Sequence, residues 1–298
     1  MITTAAVAFA EARIGRLGES VYSGRSRAVI QRAYLAFRSS AWIVVATGFL
    51  EPVLYLFSFG YGVGKLIGTI EIAPGQSVSY AAFIAPALLA TSAMNGAIYD
   101  ATWNVFFKMR FDGIYQGMLA TSLGPMDVAL GEIGWALLRG LVYAIAFMSI
   151  IGGLGLVTTP WALLAIPCAV LISFGFASIG MAITTYMKSF EQMNIINVVL
   201  LPMFLFSGSF YPLSIYPGWL QAFIKALPLW HGVTLIRSVS LGIFNTSLIP
   251  HILYFVVMIV LGLCYDPQIN NSFYALISLR NYDDPSDLLS DRPNLFYF

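Results

Sequence analysis

Charge is scarce in this chain. Asp, Glu, Lys and Arg make up 10% of its 298 residues, against about 25% in a soluble globular protein. So few charges cannot coat a water-soluble body of this size, which excludes the soluble fold classes. Histidine and cysteine are scarcer still, with two of each. His231 and His251 are not spaced as a metal pair, and Cys168 and Cys264 fall in or at the edge of apolar runs. Neither a zinc site nor a disulfide framework is indicated, and no HExxH or CxxC occurs. A net charge of +1 carries no general attraction to nucleic acid. A phosphate loop is missing as well. Phe59–Leu66 holds Gly60, Gly62, Gly64 and Lys65, but Phe59 stands where the first glycine is needed and Leu66 where Ser or Thr is needed. The stretch reads as a glycine-rich helix end, so neither a cofactor nor an ATP site is expected on this chain. A secretory signal is not expected either, because Glu11 follows the Ala-rich Thr3–Ala10 and no basic region precedes it.

Apolar residues are what the chain has in abundance: 59% of it, with a mean hydropathy of +0.81. They gather into long runs, and a run of roughly 20 residues crosses a hydrocarbon core of about 30 Å. The candidates are Trp42–Tyr61, Tyr80–Tyr99, Val128–Ile151, Trp161–Tyr186, Ile195–Phe210 and Ile249–Cys264. They predict an all-α integral membrane fold with about six spans. The first run is crossed by Glu51-Pro52, and the last two are short. With the N-terminus in the cytosol, Arg13, Arg16, Arg25, Arg27, Arg32, Arg38, Lys108, Arg110 and Lys188 face inward. Only Lys65, Lys225 and Arg237 then face out, so nine basic residues inside oppose three outside. That imbalance predicts both termini in the cytosol.

Three segments outside the runs carry pattern of their own. Along Arg25–Ser40, Val29, Ile30, Ala33, Tyr34 and Phe37 fall on one half of a helical wheel. Arg25, Arg27, Gln31, Arg32 and Arg38 fall on the other, with Leu35 the misfit. This predicts an amphipathic helix in the cytosolic interface, arginines toward anionic headgroups. Asp100–Asp127 mixes Trp103, Phe106, Phe107 and Met109 with Lys108, Arg110 and Asp112, and then turns at Gly124-Pro125. It is richer in apolar residues than a solvated linker needs, and a cytosolic extension of the second helix is compatible with it. Asp127, just after Pro125, suits a cap on the third span. Ser207–Leu248 is too long for a hairpin connection. It holds Pro212, Pro217 and Pro228, with Trp219, Leu220, Phe223, Ile224 and Leu227 at helical spacing. A re-entrant helical segment in the outer leaflet is predicted there, Trp219 and Trp230 suiting that interface.

The organisation that results is a cytosolic arm with the interfacial helix over 1–40, a membrane domain over 41–264 and a tail over 265–298. Within the membrane domain the cytosolic loop covers about 101–127 and the outer segment about 207–248. The tail sets Asp266, Asp283, Asp284, Asp287 and Asp291 against Arg280 and Arg292. It reads as an acidic cytosolic peptide unlike the rest of the chain; an appended peptide and a shifted reading frame both account for it.

Ionisable groups inside a membrane are costly, about 2.5–3.5 kcal/mol each near a helix centre. Glu51 sits in the first run, and Glu132 and Arg139, seven residues apart, share one stripe of the third. Contact with a substrate is one reading of these groups. A pair between Glu51 and Arg139 is another, and Glu132 at the cytosolic interface a third. Tyr55, Phe57, Phe59, Met203, Phe204 and Phe206 form apolar surface that suits an amphiphilic cargo or ordinary helix packing. No cluster of polar residues at one membrane face suggests an intramembrane lipid-processing enzyme. No inverted repeat or set of buried carboxylates favours an ion-coupled secondary transporter.

Five stretches taken together carry a resemblance. They are Glu51-Pro52-Val53-Leu54-Tyr55-Leu56-Phe57 with the glycines to Gly64, Tyr80–Met94, Leu130–Trp135, Phe206–Leu213, and Leu227-Pro228-Leu229-Trp230-His231 through Arg237. In order and spacing the chain resembles the type-2 ABC exporter permeases over roughly residues 25–263, most closely their NodJ-like branch, which exports lipo-oligosaccharides. The resemblance implies a half-transporter in the inner (plasma) membrane. A second permease copy, as a homodimer, and two copies of a separate ABC ATPase subunit carrying Mg-ATP would complete it. It implies a coupling helix around Phe107, Lys108, Arg110 and Asp112, and an interfacial helix bearing Arg25, Arg27, Arg32 and Arg38. The implied outward path for a lipid-linked glycan, polysaccharide or drug runs by Glu51, Tyr55, Phe59, Arg139, Met203 and Phe206.

Overall fold

The computed structural model describes residues 24–38, 50–73, 76–157 and 159–265. The start of the first apolar run, most of the N-terminal arm and the acidic tail lie outside the described residues. Helix α1 spans Ser26–Arg38. Helix α2 covers residues 50–67, π-wound across Leu56–Val63 and closing with Gly64–Ile67. Gly68, at φ 76°, turns the chain out of α2 into an antiparallel hairpin of β1 (Thr69–Ala73) and β2 (Gln76–Ser79), in which Ile70 faces Val78. This hairpin corrects the purely helical expectation. Its alternation is too short, and too close to two helices, to stand out among the apolar runs.

Helix α3, Tyr80–Arg110, is the centre of the molecule, and almost all of its apolar stretch is buried. The Ser79 hydroxyl caps its start by accepting from Ala82 N–H at 3.3 Å. Alanines recur along it, at Ala81, Ala85, Ala90, Ala93, Ala97 and Ala101, and all of them are buried. Small residues let neighbouring helices approach closely, which is how helices associate where lipid gives no hydrophobic drive. Around α3 stand α5 (Pro125–Gly153) and α6 (Pro160–Tyr186), then α9 (Pro228–Ser240). Hydroxyls on α6 add polar contacts: Ser173 donates to the Ala93 carbonyl at 3.2 Å and Thr184 to the Ala101 carbonyl at 3.1 Å. The short α4 (Ile114–Leu119) lies beyond the C-terminal end of α3.

Helix α7 (Phe190–Leu205) starts and stops five residues earlier than its apolar run. The run's last residues leave the helix because Gly208, at φ 73°, begins a loop. Helix α8 (Gly218–Ala226) and α9 follow, then α10 (Leu248–Tyr265). Helix α10 seats against α6 at Gly262, where an added Cβ would stand 2.5 Å from the Ser178 backbone carbon. The chain is an integral membrane protein. Three helices are long and apolar enough to cross a bilayer (α3, α5 and α6), with α7 and α10 as shorter apolar helices among the described residues.

Candidate functional site

At its C-terminal end α3 runs past Tyr99 to Arg110, so the first part of the expected 101–127 loop is helix. Asp100, expected to leave the membrane, is consequently buried, with 4% of its side chain exposed. Its carboxylate meets the Arg139 guanidinium on α5 at 2.8 Å, and Lys108 Nζ meets Glu132 on α5 at 2.7 Å. Each helix gives one acid and one base to this ladder. Seven residues separate Glu132 from Arg139, close to two α-helical turns, but eight separate Asp100 from Lys108. In a regular α-helix eight residues overshoot two turns by roughly 80°. The π-wound Asp100–Asn104 takes up the surplus residue and returns Lys108 to the stripe of Asp100. Arg139 is thus partnered by Asp100; Glu51, the alternative, is exposed on α2. Glu132 is buried against α3.

Beyond the ladder the chain turns at Gly113, with φ 61°, into α4. Rings gather here. Trp103 and Phe190 are 5.3 Å apart and Phe107 and Phe111 5.4 Å apart, with Phe107 40% and Phe111 66% exposed. Arg110 donates to the Met187 carbonyl at 3.0 Å, fixing this corner to the end of α6. Of the four expected coupling residues, Phe107 and Asp112 face outward, whereas Lys108 and Arg110 are held by the fold.

Of the five residues expected on the apolar face of α1, two are buried and Tyr34 is 56% exposed. Val29 and Ala33 are buried, Val29 against Gly131 of α5, and the Phe37 ring stands 5.3 Å from Trp135. Arg27 and Arg38 are exposed, Arg32 is half-buried, and Arg25 donates to the Ser122 carbonyl. Asp127 occupies the third position of α5. Its Oδ2 accepts from Gly124 N–H at 2.9 Å and its Oδ1 from Arg25 N–H at 2.8 Å. One carboxylate therefore closes the start of α5 and anchors the start of α1.

A second cluster lies between α2 and α7. Tyr55 is 6.0 Å from Phe59 and 5.6 Å from Phe204, and Phe59 is 5.0 Å from Phe210, ring centre to ring centre. Met203 is buried, and Phe206 lies 6.4 Å from Tyr216 instead. Arg139 and Glu51 do not join these rings. Two donors hold the loop after α7: Arg237 gives Nη2 to the Gly208 carbonyl at 3.0 Å, and Tyr80 gives its hydroxyl to the Phe210 carbonyl at 3.2 Å. The Arg237 guanidinium also lies 3.9 Å from the centre of the Phe83 ring, a cation–π contact. Arg237, counted as an outer-loop charge, is a half-buried fastener. Close by, His231 and His251 meet at 2.7 Å, Nδ1 to Nδ1, a pairing their sequence spacing conceals. Among the described residues no group of three or more His, Cys, Asp or Glu could hold a metal.

Residues 25–241, from the start of α1 to just beyond α9, match the model of the ABC-2 type transporter family. The chain belongs to that family. Among its relatives is Nodulation protein J of Sinorhizobium fredii (strain NBRC 101917 / NGR234). It is 32% identical over 215 residues, 72% of this chain and 80% of that one. Nodulation protein J of Bradyrhizobium diazoefficiens is 33% identical over 224 residues, covering 74% and 84%. The inner membrane transport permease YadH of Escherichia coli (strain K12) is 26% identical over 217 residues, covering 71% and 80%. As an ABC-2 permease the chain is a membrane transport subunit, and permeases of this family work with ATP-binding subunits.

Proposed function

We propose that this permease is the membrane half of an ATP-driven exporter that moves an amphiphilic substrate outward across the plasma membrane. The observation that carries the reading is the exposed aromatic corner at Phe107 and Phe111 joined to a buried ion-pair ladder. Exposed rings at the end of a membrane bundle suit a protein partner. The partner is an ABC ATPase subunit in two copies, which supplies Mg-ATP binding and hydrolysis. This chain receives the motion at Phe107 and Asp112. Lys108–Glu132 and Asp100–Arg139 pass it from α3 to α5.

The substrate path runs by the rings between α2 and α7, with Tyr55, Phe59 and Met203 on its wall and Phe206 at its outer end. Their polarizable apolar surface suits a lipid-linked glycan, in keeping with the NodJ-like resemblance; polysaccharides and drugs fit the same chemistry. Ile195, Val198, Val199 and Leu201 on α7 are exposed by 59–69%, which suits a second copy of the chain across the path as a homodimer. The segment from Ser207 to α9 acts as the re-entrant outer gate, held by Arg237 and Tyr80. Both termini lie in the cytosol.

Co-expression with an ATP-binding subunit tests this. The two proteins should co-purify, and Phe107→Ala with Asp112→Ala should leave both folded while abolishing cargo-stimulated hydrolysis. A chain that never retains an ATPase, yet moves cargo alone, would sink the half-transporter reading and favour an ion-coupled carrier.

A further inference from the structure

A groove of about 380 Å³ separates α1 from α5, lined by Arg27, Ile30, Gln31, Tyr34, Trp135 and Leu138. It exists because the two helices touch along one line only. Gly131 and Gly134 bring α5 so close that an added Cβ would stand 2.5 Å from Val29 and 2.9 Å from Ile30. Tyr34 and Trp135 line the groove beside that contact. The contacts advance together along both helices, from Arg25 at Asp127, through Val29 at Gly131, to Phe37 at Trp135. The groove therefore has a shallow end at Arg27 and a deep end at Leu138. Eleven residues of α5 beyond Asp127, Leu138 lies about 16 Å further along the helix.

Polarity follows the same axis. Arg27 is exposed at the shallow end and has no ion pair or hydrogen bond among the described residues. Gln31 is exposed beside it. Helix α1, SRAVIQRAYLAFR, carries no acidic residue to neutralise that charge. Toward the deep end the lining is Ile30, Trp135 and Leu138, the last 45% exposed. A cation above an apolar slot of this size is complementary to one class of molecule.

We infer that the groove binds an anionic phospholipid of the cytosolic leaflet, its phosphate on Arg27 and Gln31 and one acyl chain along Ile30, Trp135 and Leu138. This needs the membrane orientation read from the basic residues, but not the export reading, and its test involves no transport. The site differs from general attraction of a basic helix to a charged surface, because it predicts one arginine and one tryptophan at one lipid.

The full chain is reconstituted into phosphatidylcholine nanodiscs doped with a brominated lipid, either phosphatidylglycerol or phosphatidylcholine. Bromine on the acyl chain quenches tryptophan in contact with it, and Trp135→Phe isolates the share due to Trp135. That share should be quenched with about fivefold lower half-effect concentration by brominated phosphatidylglycerol, one arginine's worth of preference. Arg27→Gln should erase the difference, while Arg27→Lys, which keeps the charge, retains most of it. Arg32→Gln, which removes the same charge outside the groove, should leave the difference intact. Equal quenching by both lipids would reduce the groove to ordinary lipid boundary and overturn the assignment. Equal losses from Arg27→Gln and Arg32→Gln would overturn it in favour of diffuse attraction. No quenching of Trp135 by either lipid would mean that a second copy of the chain covers the groove, and would overturn it too.

Discussion

His231 and His251 share a hydrogen bond, Nδ1 to Nδ1 at 2.7 Å, that ties α9 to α10. Each ring is enclosed by others: His231 stacks on Tyr254 at 4.1 Å, and Trp230 stands 5.2 Å from His251. One Nδ1 must donate and the other accept, so at least one imidazole is neutral. Replacing one histidine orphans the ring nitrogen of the other, at a cost of about 1–3 kcal/mol. His251→Phe should lower the unfolding midpoint in detergent, and His231→Phe added to it should cost little more. Additive losses would show that the two rings act separately.

The buried ladder makes a sharper prediction. Removing one partner of a buried ion pair leaves an uncompensated charge, worth about 3–5 kcal/mol, whereas removing both can be close to neutral. Asp100→Asn and Arg139→Gln should each destabilise the permease strongly, and the double variant should recover most of the loss. A double-mutant cycle on thermal unfolding measures it. If the single losses simply sum, Asp100 and Arg139 are not coupled.

Arg237 fastens the outer loop by one hydrogen bond and one ring contact. Arg237→Met keeps the length and apolar bulk but frees the Gly208 carbonyl. Amides of 207–210 should then exchange with deuterium at least about tenfold faster, the opening of roughly one charge-assisted hydrogen bond. Unchanged exchange would mean that Tyr80 holds the loop without help.

Close helix contact at Gly262 is equally exposed to test. An added Cβ there meets the Ser178 backbone, which cannot swing aside as a side chain can. Gly262→Ala should cost about 1–3 kcal/mol, as overpacking does, and cysteines placed at the α6–α10 seam should cross-link less readily. An unshifted melting curve would argue against the seam.

Much of this was legible in the residues. The long apolar runs found α3, α5 and α6, and wheel geometry found the buried face of α1 with Val29 and Ala33. Asp127 read correctly as serving the start of α5, although it works from the third position rather than as the cap itself. Spacing failed where the backbone departs from regular winding. Asp100 and Lys108 sit one residue too far apart to share a stripe until a π turn absorbs the difference, so the readings open for Arg139 include Glu51 but not Asp100. It failed again where partners come from different elements, because nothing local to His231, His251 or Arg237 announces what they touch. The hairpin escaped because four or five residues of alternation carry little signal beside runs of about twenty.

The surplus residue in α3 also bears on the kind of motion that the proposed coupling would send inward. If Asp100–Asn104 rewound as ordinary helix, everything beyond it would swivel by roughly a quarter turn with little travel along the axis. Asp100 would keep its grip on Arg139, and Lys108 would be carried off Glu132. Under the proposed coupling, a push on Phe107 would reach the bundle as torque, with one ion pair as the bearing and the other as the catch that must slip before the shaft can turn.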